Sequence, residues 1–174
     1  MGHVGAADPL PLAVRAYTRR TPSEEESGGG GGIGLGPIWP NPVLVFDTET
    51  TTDEAQRLLF GAYRYLRWTD DGQLRCVEEG LFHDDELAET DSEAYQQLLD
   101  TGTDDPFEED GLRLMSRRAF VRNVFYPAAW EAEGLVVGFN LPFELTRLAL
   151  YVGEARGIFH GGFSLVLADY FDRQ

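Results

Sequence analysis

An α/β fold is predicted for this 174-residue chain from two features of its pattern. Short apolar runs of strand length, rich in β-branched and aromatic residues, recur between 43 and 168, and the segments between them repeat apolar residues at helical spacing. Taken in order they give three antiparallel strands, a helical layer, then strand, helix and strand: one mixed sheet flanked by helices.

Residues 1–42 read as a leader. Pro9, Pro11 and Pro22 punctuate it, and Gly28–Gly32 lie within a Ser/Glu/Gly tract with the composition of a flexible linker. A phosphate-cradling loop is excluded because no Gly-Lys-Ser/Thr follows. Leu10, Leu12, Val14 and Tyr17 are spaced to form one short docked element, and Ile38, Trp39 and Pro40 to meet the edge of the domain.

The domain proper spans 43–174. Val43-Leu44-Val45-Phe46 runs into Asp47-Thr48-Glu49, a buried strand ending in carboxylates. Residues 56–68 continue as an extended run, Thr69-Asp70-Asp71-Gly72 is a turn, and 74–83 is the third strand. An acidic insertion, about 84–110, contains one amphipathic helix near 91–100 and otherwise loop. Residues 112–133 read as helical, kinked at Pro127. Leu135–Phe139 form a further strand. Asn140, as N-cap, and Pro142, in the first turn, open a helix whose apolar face is Leu141, Leu145, Leu148 and Val152, ended by Gly153. Phe163–Ala168 give the last strand.

Composition narrows the chemistry. The 14 basic residues are all arginine, which excludes a phosphate-loop or Schiff-base lysine, and the single cysteine, Cys76, excludes an internal disulfide. No run of about 18 apolar residues is present, and the N-terminus lacks signal-peptide layout, so an intracellular, cytoplasmic protein without a membrane partner is expected. The net charge of −16 argues against tight, non-specific duplex binding. Twelve Asp/Glu and no Arg lie in 84–110, however, whereas 111–174 hold seven Arg against six Asp/Glu. The acidic segment is either a solvated charged face, or a mimic of nucleic-acid charge or docking surface for a basic partner. Arg113, Arg117, Arg118 and Arg122, gathered on one helix side, either neutralise it or steer a phosphate backbone.

Strand alternation puts Asp47 and Glu49 on one face. Two carboxylates side by side at a strand end repel, and a divalent cation is the common means of offsetting that.

Two motifs carry a family resemblance over 43 to about 170. Phe46-Asp47-Thr48-Glu49-Thr50 is similar to the Asp-x-Glu motif, and Gly138-Phe139-Asn140-Leu141-Pro142-Phe143-Glu144 to the Asn-x-x-Phe-Asp motif, of the DEDD superfamily of 3′–5′ exonucleases, including the proofreading domains of family B DNA polymerases. The resemblance implies a ribonuclease H-like fold and a site with two Mg²⁺ or Mn²⁺ ions. It implies metal binding and catalysis by Asp47, Glu49 and Glu144, and contacts to the end of a single strand, DNA or RNA, from Thr48, Thr50, Asn140 and Phe143. Glu144 stands where the family has aspartate, one methylene shorter. The third motif, a Tyr or His with a final Asp, has no counterpart, and Asp169-Tyr170-Phe171-Asp172 is a weak substitute. The resemblance therefore implies the N-terminal part of an exonuclease domain, completed by a further segment or a protein partner. The alternative is a catalytically incomplete module of the same fold that binds nucleic acid or protein.

Overall fold

The computed structural model describes residues 11–13, 40–103, 112–157 and 160–168. Its frame is a mixed sheet of parallel and antiparallel strands. β2 (Val43–Thr50), β3 (Leu58–Trp68) and β4 (Leu74–His83) form an antiparallel meander, as the sequence predicts. β7 (Leu135–Val137) runs parallel to β2, and β6 (Leu112–Ser116) parallel to β4, with a two-residue β5 (Gly102–Thr103) outside it. Beyond β4, α1 (Leu87–Thr90) and α2 (Ser92–Thr101) lie in the described part of the acidic insertion. α3 (Arg117–Phe120) continues through two π-helical stretches, Val121–Phe125 and Pro127–Glu131, and α4 (Leu141–Leu148) follows β7.

Each face of the sheet has its own core. On one, Leu44, Phe46, Tyr63 and Phe82 meet Phe120, Val124 and Phe125 of the helical layer and Leu145 and Leu148 of α4. The Phe82 and Phe120 rings stack with centroids 4.1 Å apart, and Phe46 meets Phe125 edge-on at 5.9 Å, contacts worth about 0.5–1.5 kcal/mol each beyond the area they bury. On the other, Leu81 and Leu114 pack against Leu87 and Leu98, so the two short helices cover β4 and β6. A register shift at Glu49/Thr50 changes the alternation at the start of β3, sending Leu58 to the first core and Leu59 to the second.

The chain departs from its sequence pattern in three places. Residues 112–116 are a strand rather than the start of a helix, so Arg113 lies on β6 and pairs with Glu78 at 3.0 Å. The helix opened by Asn140 ends at Leu148, and Tyr151–Glu154 form β8, which leaves Val152 exposed. The last strand, β9 (Phe163–Val166), does not join the mixed sheet. It lies between β8 and β1 (Pro11–Ala13) in a separate antiparallel sheet, so part of the expected leader is paired with the C-terminal region. Gly28–Gly32, 104–111 and Asp169–Asp172 lie outside the described residues. Among the described residues, no helix is long and apolar enough to cross a membrane.

Gly61 of β3 lies opposite Thr48 of β2. A Cβ at this position would overlap the stacked Phe82 ring and come within 2.6 Å of the Asp47 carbonyl oxygen. Both obstacles belong to the packed core, so Gly61→Ala is expected to cost about 1–3 kcal/mol by overpacking. Thermal denaturation should show a fall of several degrees, and an unchanged melting temperature would contradict this packing.

Candidate active site

β2 delivers alternate side chains to opposite sides. Leu44, Phe46 and Thr48 are buried, whereas Val45, Asp47 and Glu49 are exposed. Asp47 and Glu49 thus share a face, as the spacing requires. The parallel ladder to β7 ends at Val45 and Val137. The chain then leaves the sheet through Gly138, Phe139 and Asn140 and turns back as α4, leaving the far end of β2 without a neighbouring strand on this side.

Glu144 fills that space. It sits in the first turn of α4 but is only 3% exposed, and it accepts hydrogen bonds from the Thr48 hydroxyl and the Thr48 amide. Gly138 permits the approach: a Cβ there would lie 3.3 Å from Glu144 Cγ and 3.1 Å from Leu141 Cδ1. Asp47 interacts with the same carboxylate. Burial, first, and the neighbouring negative charge of Asp47 raise the Glu144 carboxyl above the ordinary carboxylate range, while the bonds from Thr48 offset part of the effect.

This raised value has a definite sign. A carboxyl that binds its proton more tightly in the folded state costs stability when it ionises, so the cost is present at neutral pH and disappears as pH falls through the folded-state value. Glu144→Gln keeps acceptance from Thr48 but removes the charge. In EDTA at neutral pH it is expected to raise the melting temperature by about 2–4 °C, the size of a 1 kcal/mol change in a chain of this length. A lower melting temperature would mean that the charge is not repelled in its site.

The other candidates are placed less closely. Among the described residues, Glu49 makes no hydrogen bond or ion pair, although it lies on the Asp47 face. Thr50 is half-buried at the bulge. Asn140 is exposed at the N-cap position, but its side chain makes no capping bond. Instead its carbonyl accepts the amides of Phe143, at 2.8 Å, and Glu144, at 3.1 Å. The half-buried Phe143 ring lies beneath the Arg147 guanidinium, 4.8 Å from its centroid. Arg147 does not pair with Glu144; it donates to the Ala55 and Gln56 carbonyls and so ties α4 to the loop after β2. Among the described residues, no group of three or more His, Cys, Asp or Glu side chains converges tightly enough to hold a metal ion. The site is therefore a carboxylate pair, Asp47 and Glu144, with Glu49 on the Asp47 face of β2 but outside the pair. The pair's chemistry fits a divalent cation, which would neutralise the repulsion; the full set of donors is not assembled by these three residues.

The resemblance implies a strand contact from Thr48, whereas here its hydroxyl and amide engage Glu144, at a core-facing position of a buried strand where a hydroxyl requires a partner. One position, Arg147, was missed in the sequence pattern. Arg147 shows no sequence signal beyond helical spacing to Phe143. No protein-family model, curated protein or solved structure matches the chain.

Proposed function

We propose that the chain carries the metal-binding part of a 3′–5′ exonuclease domain of ribonuclease H-like fold, which hydrolyses phosphodiester bonds at the ends of DNA or RNA strands. The observation that carries this reading is the meeting of Asp47 with Glu144: nearly a hundred residues apart in sequence, both acids stand at one strand end, and the second is buried beside the charge of the first. The order β4-β3-β2-β7, an antiparallel meander extended by a strand parallel to the first, supports the fold assignment.

In this reading Asp47 and Glu144 hold Mg²⁺ or Mn²⁺, and Glu49 contributes from the same face of β2. A cation held there would supply Lewis-acid chemistry toward the phosphoryl oxygen and the attacking water. Thr48 fixes the orientation of Glu144 through its hydroxyl and amide. Thr50, Asn140 and Phe143 border the strand terminus, with Phe143 held by Arg147. The remaining donors, and a base, come from a further segment or a protein partner. The added methylene of Glu144 is accommodated over Gly138.

One observation favours a second reading, a catalytically incomplete module of the same fold that binds nucleic acid or protein: Thr48 already engages the Glu144 carboxylate, and Glu49 stands apart from the pair. Mn²⁺-dependent degradation of 5′-labelled single-stranded DNA separates the two. Activity of the wild-type chain that is lost in Asp47→Ala supports the nuclease, and equal residual activity in both supports the module.

A further inference from the structure

A cleft with a volume of about 510 Å³ opens at the carboxyl ends of β2 and β4. Its walls are the 51–59 connection, which directly follows the Asp47–Glu49 strand, the 84–91 segment, the start of α3 and the second half of α4, which begins at the site. Crevices beyond the carboxyl ends of strands are where open α/β sheets place their ligands.

The charges lining the cleft are not equally committed. Of its carboxylates, Asp85 is consumed by Arg117 and by the amide of Arg118, Asp91 caps α2 through the amide of Ala94, and Asp84 accepts the amide of Glu86. Glu86 alone remains exposed without a bond of its side chain. Arg57 and Arg118 also project into solvent, and among the described residues neither guanidinium has a carboxylate within ion-pair distance. The loop between them is held fixed. Gln56 has a left-handed backbone, φ 44°, which a side-chain-bearing residue adopts only when its surroundings impose it. Those surroundings are Asp53, which accepts the Gln56 amide, and Arg147, which donates to the Gln56 carbonyl. Leu150, exposed on the wall, adds an apolar surface.

We infer that this cleft takes the sugar–phosphate backbone of a single nucleic-acid strand, with Arg57 and Arg118 contacting phosphates and Arg147 positioning the loop that carries Arg57. Its volume is in the range of small-ligand clefts, about 300–1,000 Å³, which suits a nucleotide or two and excludes a duplex. Two exposed guanidiniums on an acidic chain give weak, salt-sensitive attachment, in keeping with the charge of the whole molecule. The inference rests on the nuclease reading for the identity of the ligand, and its test is separate from catalysis.

The test is fluorescence anisotropy of a short 5′-fluorescein oligothymidylate in EDTA, titrated with the full chain, with Arg64→Ala, and with Arg57→Ala, Arg118→Ala and the double variant. All three arginines are exposed, so the variants are expected to keep the wild-type circular dichroism spectrum. The wild type and Arg64→Ala, which lies outside the cleft, should bind alike. The double variant should bind at least about tenfold more weakly, and the slope of log affinity against log salt should flatten by about 0.7 per arginine. Arginine variants that bind as tightly as wild type, or a wild type that does not bind at low salt, would overturn the inference. Binding with the expected slope by a chain that takes up no Mn²⁺ in calorimetric titration would uphold the cleft and remove the nuclease reading instead.

Discussion

Arg117→Met is expected to lower the stability of the chain by about 3–5 kcal/mol, the cost of breaking a buried ion pair from one side. Arg117 is only 4% exposed, yet it makes four hydrogen bonds. Nε and Nη2 donate to Asp85 Oδ2 at 3.1 and 2.6 Å, and Nη1 donates to the carbonyls of Leu148 at 2.9 Å and Leu167 at 3.0 Å. One guanidinium thus joins the start of α3, the loop after β4, the end of α4 and the segment after β9, and it ties the mixed sheet to the smaller one. Methionine fills much of the volume but leaves Asp85 Oδ2 and two carbonyls without the Arg117 donors, and only the Arg118 amide still bonds Asp85. For a chain of this length, 3–5 kcal/mol corresponds to a fall in melting temperature of about 10–20 °C. Circular dichroism melts would measure it, and a change of only a degree or two would mean that these bonds contribute little.

Asp47→Ala is expected to reduce Mn²⁺-dependent strand degradation at least about a thousandfold, because metal-ion catalysis contributes several kcal/mol of transition-state stabilisation and each 1.36 kcal/mol is a factor of ten. Stability should move the other way. Asp47 is exposed and its charge opposes that of Glu144, so its removal should leave the melting temperature in EDTA unchanged or slightly higher. Loss of activity together with a large drop in melting temperature would identify Asp47 as a structural residue.

The meander was legible in the sequence because its strands obey local rules: apolar runs of strand length, a turn at 69–72, and alternation that correctly placed Asp47 and Glu49 on one face. What was missed depends on contacts distant in sequence. Val152 continues the helical spacing of Leu141, Leu145 and Leu148. Nevertheless the backbone turns extended at Ala149, φ −74° and ψ 138°, and the amide of Leu150 bonds to the Val166 carbonyl, so pairing with β9 overrides the periodicity. Leu112 and Leu114 alternate over only five residues beside a run of arginines, a strand too short to be distinguished from the helix after it. The burial of Arg117 has no hydropathy signal at all. At the site, Asp47 and Glu49 follow from a strand pattern, whereas the burial of Glu144 depends on β7 ending at Val137 and α4 folding back over β2. The absence of a side chain at Gly138 contributes too, since a Cβ there would come 3.3 Å from Glu144 Cγ.

If Asp47 and Glu144 form a cation site, calorimetric titration of the metal-free chain with Mn²⁺ should give saturable binding at millimolar metal or below, lost in both Asp47→Ala and Glu144→Ala. No binding at millimolar Mn²⁺, or undiminished binding in both variants, would show that the pair holds no cation.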